Sequence, residues 1–332
     1  MSLAGLTAER SGLAGSTPTP ALRTGGPLNS ERSNGEVTWL PVPGRTKATV
    51  VVPAPARGPG NWAGAPSSTL DRHGAIVLAY RVRLAESRGV TNVIAWSEGG
   101  EHFETVATIE RERFAAVSLE RPAIVLTEEG KWRLFVSCAL PGKTWRIDML
   151  EADDLQALGE ATPKTVFPGD DSTGMKDPVV RRSADIWHAW VCCHPLDVAG
   201  EEDRMRTAYL TGDDGIHWEL VTTALEGRSG SWDARGARVT AVCSNGWATY
   251  DGRATKEENF SERTGIARPV GRSGQLLAMG EGPVCDARYL DILELADGRC
   301  RIFYEAPLPD GSHELRSEST EIVVWPEQAT WS

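Results

Sequence analysis

Five times along this chain a short opening motif precedes an apolar or alternating run, at intervals of roughly 55 residues, the size of a four-stranded propeller blade. The openings are Gly64-Ala65-Pro66, Glu120-Arg121-Pro122, Lys176-Asp177-Pro178, Asp233-Ala234-Arg235 and Asp286-Ala287-Arg288. The runs behind them cover 75–80, 132–138, 186–193, 239–243 and 289–295. A repeat of this kind predicts an all-β, five-bladed β-propeller with a central funnel. Its innermost strands face one axis, so residues far apart in sequence meet there.

Alternation and β-branched or aromatic enrichment place the strands. Blade one reads 75–82, 92–97 and 103–109; blade two 123–127, 131–138 and 144–151; blade three 179–182, 186–193, 206–211 and 217–222. Blade four reads 238–243, 247–251 and 265–268, and blade five 289–295, 299–306 and 314–318. Asp213-Asp214-Gly215 and Ser97-Glu98-Gly99-Gly100 are matching hairpin turns in blades three and one. Segment 37–42 or 48–52 is a candidate to pair with 321–325 and close the ring without an exposed edge. Residues 1–36 read as a flexible or surface-draped leader and 37–332 as one propeller domain.

The 34 glycines and 20 prolines suit many short elements. A net charge of −11 argues against nucleic acid or an anionic membrane as partner. No run is long and apolar enough for a membrane span or a secretory signal. Cys138, Cys192, Cys193, Cys243, Cys285 and Cys300 lie mostly in apolar strand patterns, which fits a reduced, cytoplasmic setting. Cys192-Cys193-His194 lacks a second ligand pair at zinc spacing, so no metal and no cofactor are expected.

Lys176-Asp177-Pro178-Val179-Val180, Ile186-Trp187-His188-Ala189-Trp190 and the Asp213 to Trp218 hairpin resemble the five-bladed propeller glycosidases of glycoside hydrolase families 43, 32 and 62; the mannoside phosphorylases of family 130 are similar in plan. The resemblance covers about 62–317 as a divergent member. It implies a hydrolase acting on the glycosidic bonds of a small carbohydrate, with acidic residues near the inner-strand starts. Where those hydrolases carry an Asp-Pro in blade one, this chain has Ala65-Pro66. Asp177-Pro178 matches the blade-three acid, and Asp233 stands at the blade-four opening that would supply the proton donor. Glu281-Gly282-Pro283 is an alternative form of that acid motif, here in blade five.

Glycosidic cleavage uses two carboxyl groups with separated pKa values. Asp177, Asp233 and Glu120 are therefore the catalytic candidates, with Glu120 or a residue from elsewhere replacing the acid missing at Ala65. Each has a structural alternative: Asp177 as a turn or strand cap, Asp233 as a partner of Arg235 or Arg238, and Glu120 as a partner of Arg121. Arg121, Arg235 and Arg288 recur at blade openings and suit sugar hydroxyls, a carboxylate, phosphate, or a crowded acidic ring. Trp62 and Trp232 are candidate sugar platforms, while most other tryptophans belong to the core. Glu305 is a further binding candidate, and if buried it needs a partner such as Arg288. A glycoside phosphorylase and a non-catalytic carbohydrate-binding propeller are the competing functions.

Overall fold

Successive side chains of a strand point to opposite faces, so a strand buried on both faces must be apolar at nearly every position. The run at 76–80 is such a strand. Val77 and Ala79 pack with Leu119, Leu134 and Val136 of the second blade, while Leu78 and Tyr80 pack with Leu293, Phe303 and Leu315 of the fifth. Five apolar clusters of this kind fill the five gaps between neighbouring blades.

The computed structural model describes residues 41–320 apart from 45, 143 and 184, together with the paired two-residue strands Arg32–Ser33 and Glu36–Val37. The expected leader and segment 321–325 therefore lie mainly or wholly outside the described residues. Blade one is Trp62–Leu70, Ile76–Leu84, Arg88–Ser97 and Glu104–Glu110; blade two is Ser118–Leu126, Trp132–Ala139, Trp145–Ala152 and Lys164–Phe167. Blade three is Thr173–Ser183, Ile186–Pro195, Arg206–Gly212 and Glu219–Leu225, and blade four is Gly236–Val242, Ala248–Arg253, Arg263–Pro269 and Leu276–Met279. Blade five contributes Arg288–Glu294, Cys300–Pro307 and His313–Ser319. All five are antiparallel, as the repeat predicts for a five-bladed propeller.

The fourth strand of blade five is Thr49–Val52, which pairs antiparallel with His313–Ser319. Of the two proposed closing segments, 48–52 is the one that adds a strand to the last blade among the described residues, and its partner is the third strand of that blade, while segment 321–325 lies outside them. Glu318 fixes the approach by accepting from the backbone N–H groups of Gly44, at 3.0 and 3.1 Å, and Thr46, at 3.1 Å.

Every innermost strand slips register at one place, between Gly64 and Ser67, Leu119 and Pro122, Lys176 and Val179, Val239 and Ala241, and Arg288 and Asp291. These are β-bulges, which explains the Xaa-Pro openings: Pro66 and Pro178 sit where the ladder needs no N–H. Ala65, Asp177 and Tyr289 take left-handed backbone conformations there, with φ of 52°, 50° and 51°. The bulges also mark the true equivalents. Tyr289, and not the Asp286 motif, matches Asp177 in blade five, and the Asp233 motif precedes the first strand of blade four.

Arg121, in the blade-two bulge, joins the ring. Its Nε donates to the Pro66 carbonyl at 3.0 Å, Nη1 to that of Pro178 at 3.0 Å, and Nη2 to that of Thr240 at 2.7 Å and to Asp291 Oδ1 at 3.2 Å. One buried guanidinium thus reaches the other four blades. Arg121→Ala would strand three carbonyls and a buried carboxylate, and a loss of about 3–5 kcal/mol in unfolding free energy is expected, measured by urea denaturation. Arg121→Lys should recover only a small part, since an ammonium lacks the planar fork that spans these acceptors.

Candidate functional site

On the axis, side chains from all five blades enclose a cavity of about 450 Å³. Its charged lining is Arg81, Arg83 and Arg88 of blade one, Glu120 of blade two, Lys176 of blade three, Arg238, Arg253 and Glu262 of blade four, Arg288 of blade five, and Glu202 and Asp203 from a connecting loop. Trp145, Phe260 and Tyr289 supply aromatic surface, and His194 also borders the space. A smaller cavity of about 270 Å³ is lined instead by Arg121, Arg181, Asp291 and Glu294.

The floor is an ion-pair network. Arg238 donates to Asp177 at 3.0 Å, Asp251 at 2.6 Å and the Tyr289 hydroxyl at 2.8 Å, and its guanidinium lies 3.8 Å from the Tyr289 ring centre. Asp177 also accepts from the Arg121 backbone N–H at 3.2 Å and meets Lys176 Nζ at 3.4 Å. Burial opposes its charge, but Lys176, Arg238 and Arg81 hold its pKa at about 2. Burial raises the Tyr289 hydroxyl well above its ordinary value. His194 is pulled down to about 3 by burial and then by Lys176, so it is neutral near pH 7.

Above the floor, Arg81 bridges two carboxylates, with a short hydrogen bond to Glu120 and one of 2.9 Å to Glu305. Burial works against the charge on Glu120, and Arg81 and Lys176 overcome it, so Glu120 titrates below the usual carboxylate range. Glu262 bonds Arg253 and meets Arg288 at 2.8 Å. Burial opposes its ionisation too, but Arg288, Arg238 and Arg253 hold it at about 2. Glu120 and Glu262 are therefore both ionised at neutral pH.

Glu120 and Arg288 line the cavity, and Asp177 lies directly beneath it, fully buried. Glu305 is also fully buried, and the predicted partner is present: Arg288 at 2.8 Å, with Arg81 and His313 Nδ1, the last at 2.7 Å. Its carboxylate fills the space beside Gly64, where a Cβ would fall 2.2 Å from it. The blade-one opening that lacks its own acid thus abuts one from blade five.

The remaining candidates lie outside the cavity lining. Asp233 is sequestered by Arg228, at 2.9 Å, and the Tyr250 hydroxyl, at 2.8 Å, so the structural alternative accounts for its contacts, with a different arginine. Arg235 is tied to Glu201 and Asp203. Arg121 is the inter-blade tie, with no surface left for sugar. Trp62 is buried and stacks on His313 with centroids 4.8 Å apart, and Trp232 stacks on Tyr250 at 5.7 Å. Glu281 is on an exposed bend. Sequence reasoning missed Arg81, Arg83, Arg238, Glu262, Trp145 and Tyr289. Basic residues at alternate positions in Arg81-Val82-Arg83 were the available signal.

Among the described residues no group of three or more His, Cys, Asp or Glu side chains is arranged to hold a metal, and no helix is long and apolar enough to cross a membrane. The described cysteines are all unbridged, and all but the half-buried Cys285 are buried.

No family profile and no curated protein matches this sequence. Solved structures do. A protein of Parabacteroides distasonis provisionally described as a glycoside hydrolase superposes with a TM-score of 0.59 at 14% identity, over 85% of this chain and 97% of its own. The β-1,2-mannobiose phosphorylase of Listeria innocua, solved with β-1,2-mannobiose, gives 0.57 at 12%, over 85% and 92%. The sucrose-6-phosphate hydrolase of Lactobacillus gasseri gives 0.57 at 11%, over 83% of this chain and 61% of that one. These likenesses show the fold, a propeller that this chain shares with a mannobiose phosphorylase and a sucrose-6-phosphate hydrolase.

The depressed carboxyls set the acid behaviour. Asp177 and Glu262 at about 2, with Glu120 and Glu305 also lowered, bind protons more weakly folded than in the unfolded chain, where such groups titrate near about 4. Their contribution is present above that range and is lost as pH falls towards 2. Asp251 and Asp291, raised by burial, act oppositely and partly offset the loss above about 4. Denaturant midpoints measured from pH 7 to 2.5 should therefore drop mainly below about pH 4.

Proposed function

We propose that the protein cleaves glycosidic bonds of a small carbohydrate in the axial cavity, with Glu120 as the ionised carboxylate that activates water or attacks the sugar directly. The observation carrying this reading is Glu120 itself: a charged carboxylate lining a cavity of about 450 Å³ beside aromatic surface, in a propeller whose structural neighbours include glycoside-processing enzymes. That volume falls in the usual range for small-ligand sites. Trp145, with Lys176 Nζ 4.2 Å from its ring centre, takes the platform role expected of Trp62 and Trp232.

Asp177 acts in this scheme as a positioning residue. It holds Lys176, Arg238 and Tyr289 in place and does not touch the substrate. Asp233 anchors the start of blade four. Glu262 and Asp203, two further carboxyls of the cavity, are held ionised by neighbouring arginines, so in this scheme the leaving oxygen takes its proton from water or from an acceptor that brings one. Cleavage should then depend steeply on the leaving group, with aryl glycosides fastest.

A screen of aryl pyranosides and furanosides with and without orthophosphate tests the reading. Free sugar as product means hydrolysis, whereas sugar 1-phosphate formed only with orthophosphate means phosphorolysis. Glu120→Gln should lower kcat by roughly 10²–10⁴-fold with KM little changed. Full activity in Glu120→Gln, with the fold intact by circular dichroism, would remove Glu120 from the chemistry.

A further inference from the structure

Arg83 lines the cavity with a largely buried guanidinium that makes no hydrogen bond among the described residues. Its side chain is only 12% exposed, yet its sole ionic contact is Glu120 at 3.8 Å, and that carboxylate is already bonded to Arg81. Its Nε is buried with no acceptor, as are those of Arg81, Arg238, Arg253 and Arg288, but those four have hydrogen bonds or close ion pairs at their terminal nitrogens. It is held by stacking: its guanidinium lies 4.7 Å from the Trp62 ring centre and 5.5 Å from that of Phe260. Arg81 stands two residues away on the same face of its strand, and Arg88 follows at the neighbouring strand's start, paired across from Leu84.

This arrangement is costly without a ligand. Burying the Arg83 Nε–H without an acceptor is unfavourable, and cation–π contacts offset only part of that cost. Burial lowers the Arg83 pKa, Glu120 opposes that shift in part, and Arg81 and Arg88 add like-charge repulsion. Arg88 adopts a left-handed backbone, φ 62°, and makes no ion pair or hydrogen bond among the described residues. The deeper cations differ, because Arg238, Arg253 and Arg288 each already meet two carboxylates. Two aromatic rings thus hold the planar fork of Arg83 beside Glu120, a setting suited to donating two parallel hydrogen bonds to an oxyanion.

We infer that Arg83 and Arg88 form an anion subsite, and that the glycoside bound beside Glu120 carries a carboxylate or phosphate group as part of the sugar. This rests on the proposed glycoside site and narrows its substrate class. No added bond chemistry is involved; the anion is recognised and left intact.

Calorimetry on the full chain tests it with glucuronate, glucose 6-phosphate, glucose and orthophosphate as probes. At least one anionic sugar should bind roughly tenfold to a hundredfold more tightly than glucose, the worth of one or two charge-assisted hydrogen bonds. Arg83→Gln should erase that difference, and Arg83→Lys should restore part of it. Because the native guanidinium is unsatisfied, Arg83→Met should melt no lower than wild type, and the anionic sugar should raise the melting temperature of wild type only. Equal affinity for charged and neutral sugars overturns the inference while leaving the glycosidase reading in place. Orthophosphate binding as tightly as the anionic sugars and competing with them also overturns it, because the subsite then serves a free oxyanion. Arg83-dependent binding of an anionic sugar without cleavage of any glycoside supports the subsite and removes the catalytic reading. No binding by any probe overturns both.

Discussion

Four hydrogen bonds from the Arg121 side chain hold the axis of this protein together, and each goes to a different blade. The bulges make this possible. A regular strand would spend its carbonyls on the neighbouring strand, whereas the slipped register at Pro66, Pro178 and Thr240 turns those carbonyls towards the axis. A guanidinium is the side chain for the position, since it alone combines a fixed charge with five N–H donors in a plane. Arg121 is fully committed to protein acceptors, and that commitment fixes where the funnel floor lies.

Above that floor the charges are layered. Asp177, Asp251 and Glu305 are fully buried, and the cations they neutralise, among them Lys176, Arg238 and Arg288, border the cavity. Coulombic attraction in a desolvated setting drives these acids to ionise or restrains the upward push of burial. The result is a lining rich in donors within a chain whose net charge is −11. Such a site presents positive charge locally to a ligand although the molecule as a whole is acidic.

The blade repeat was legible because each inner strand is buried on both faces, which writes long apolar runs into the sequence. The outermost strands Lys164–Phe167 and Leu276–Met279 were not, since a short strand exposed on one side leaves little pattern. Glu120, Asp177 and Arg288 were singled out by position in the repeat, and Glu305 by its place at the end of a central strand, where a buried acid needs a partner. Asp233 misled for a physical reason: an acid followed by arginine spells an opening motif, but here it precedes the strand and pairs with Arg228 and Tyr250. Arg121 was recognised as recurrent, yet its acceptors lie 55 to 170 residues away and no local pattern encodes them. Arg83 left only the alternation in Arg81-Val82-Arg83 as a signal, because how few partners its guanidinium has is a property of the folded site.

The strand Thr49–Val52 completes the fifth blade against His313–Ser319. During synthesis it is made before the other strands of the ring and waits while four complete blades are made. Until its partner emerges, the growing chain carries an unmatched strand at one end and an open sheet at the other, the state most prone to pairing with another copy. Ring closure is thus the last step that translation permits.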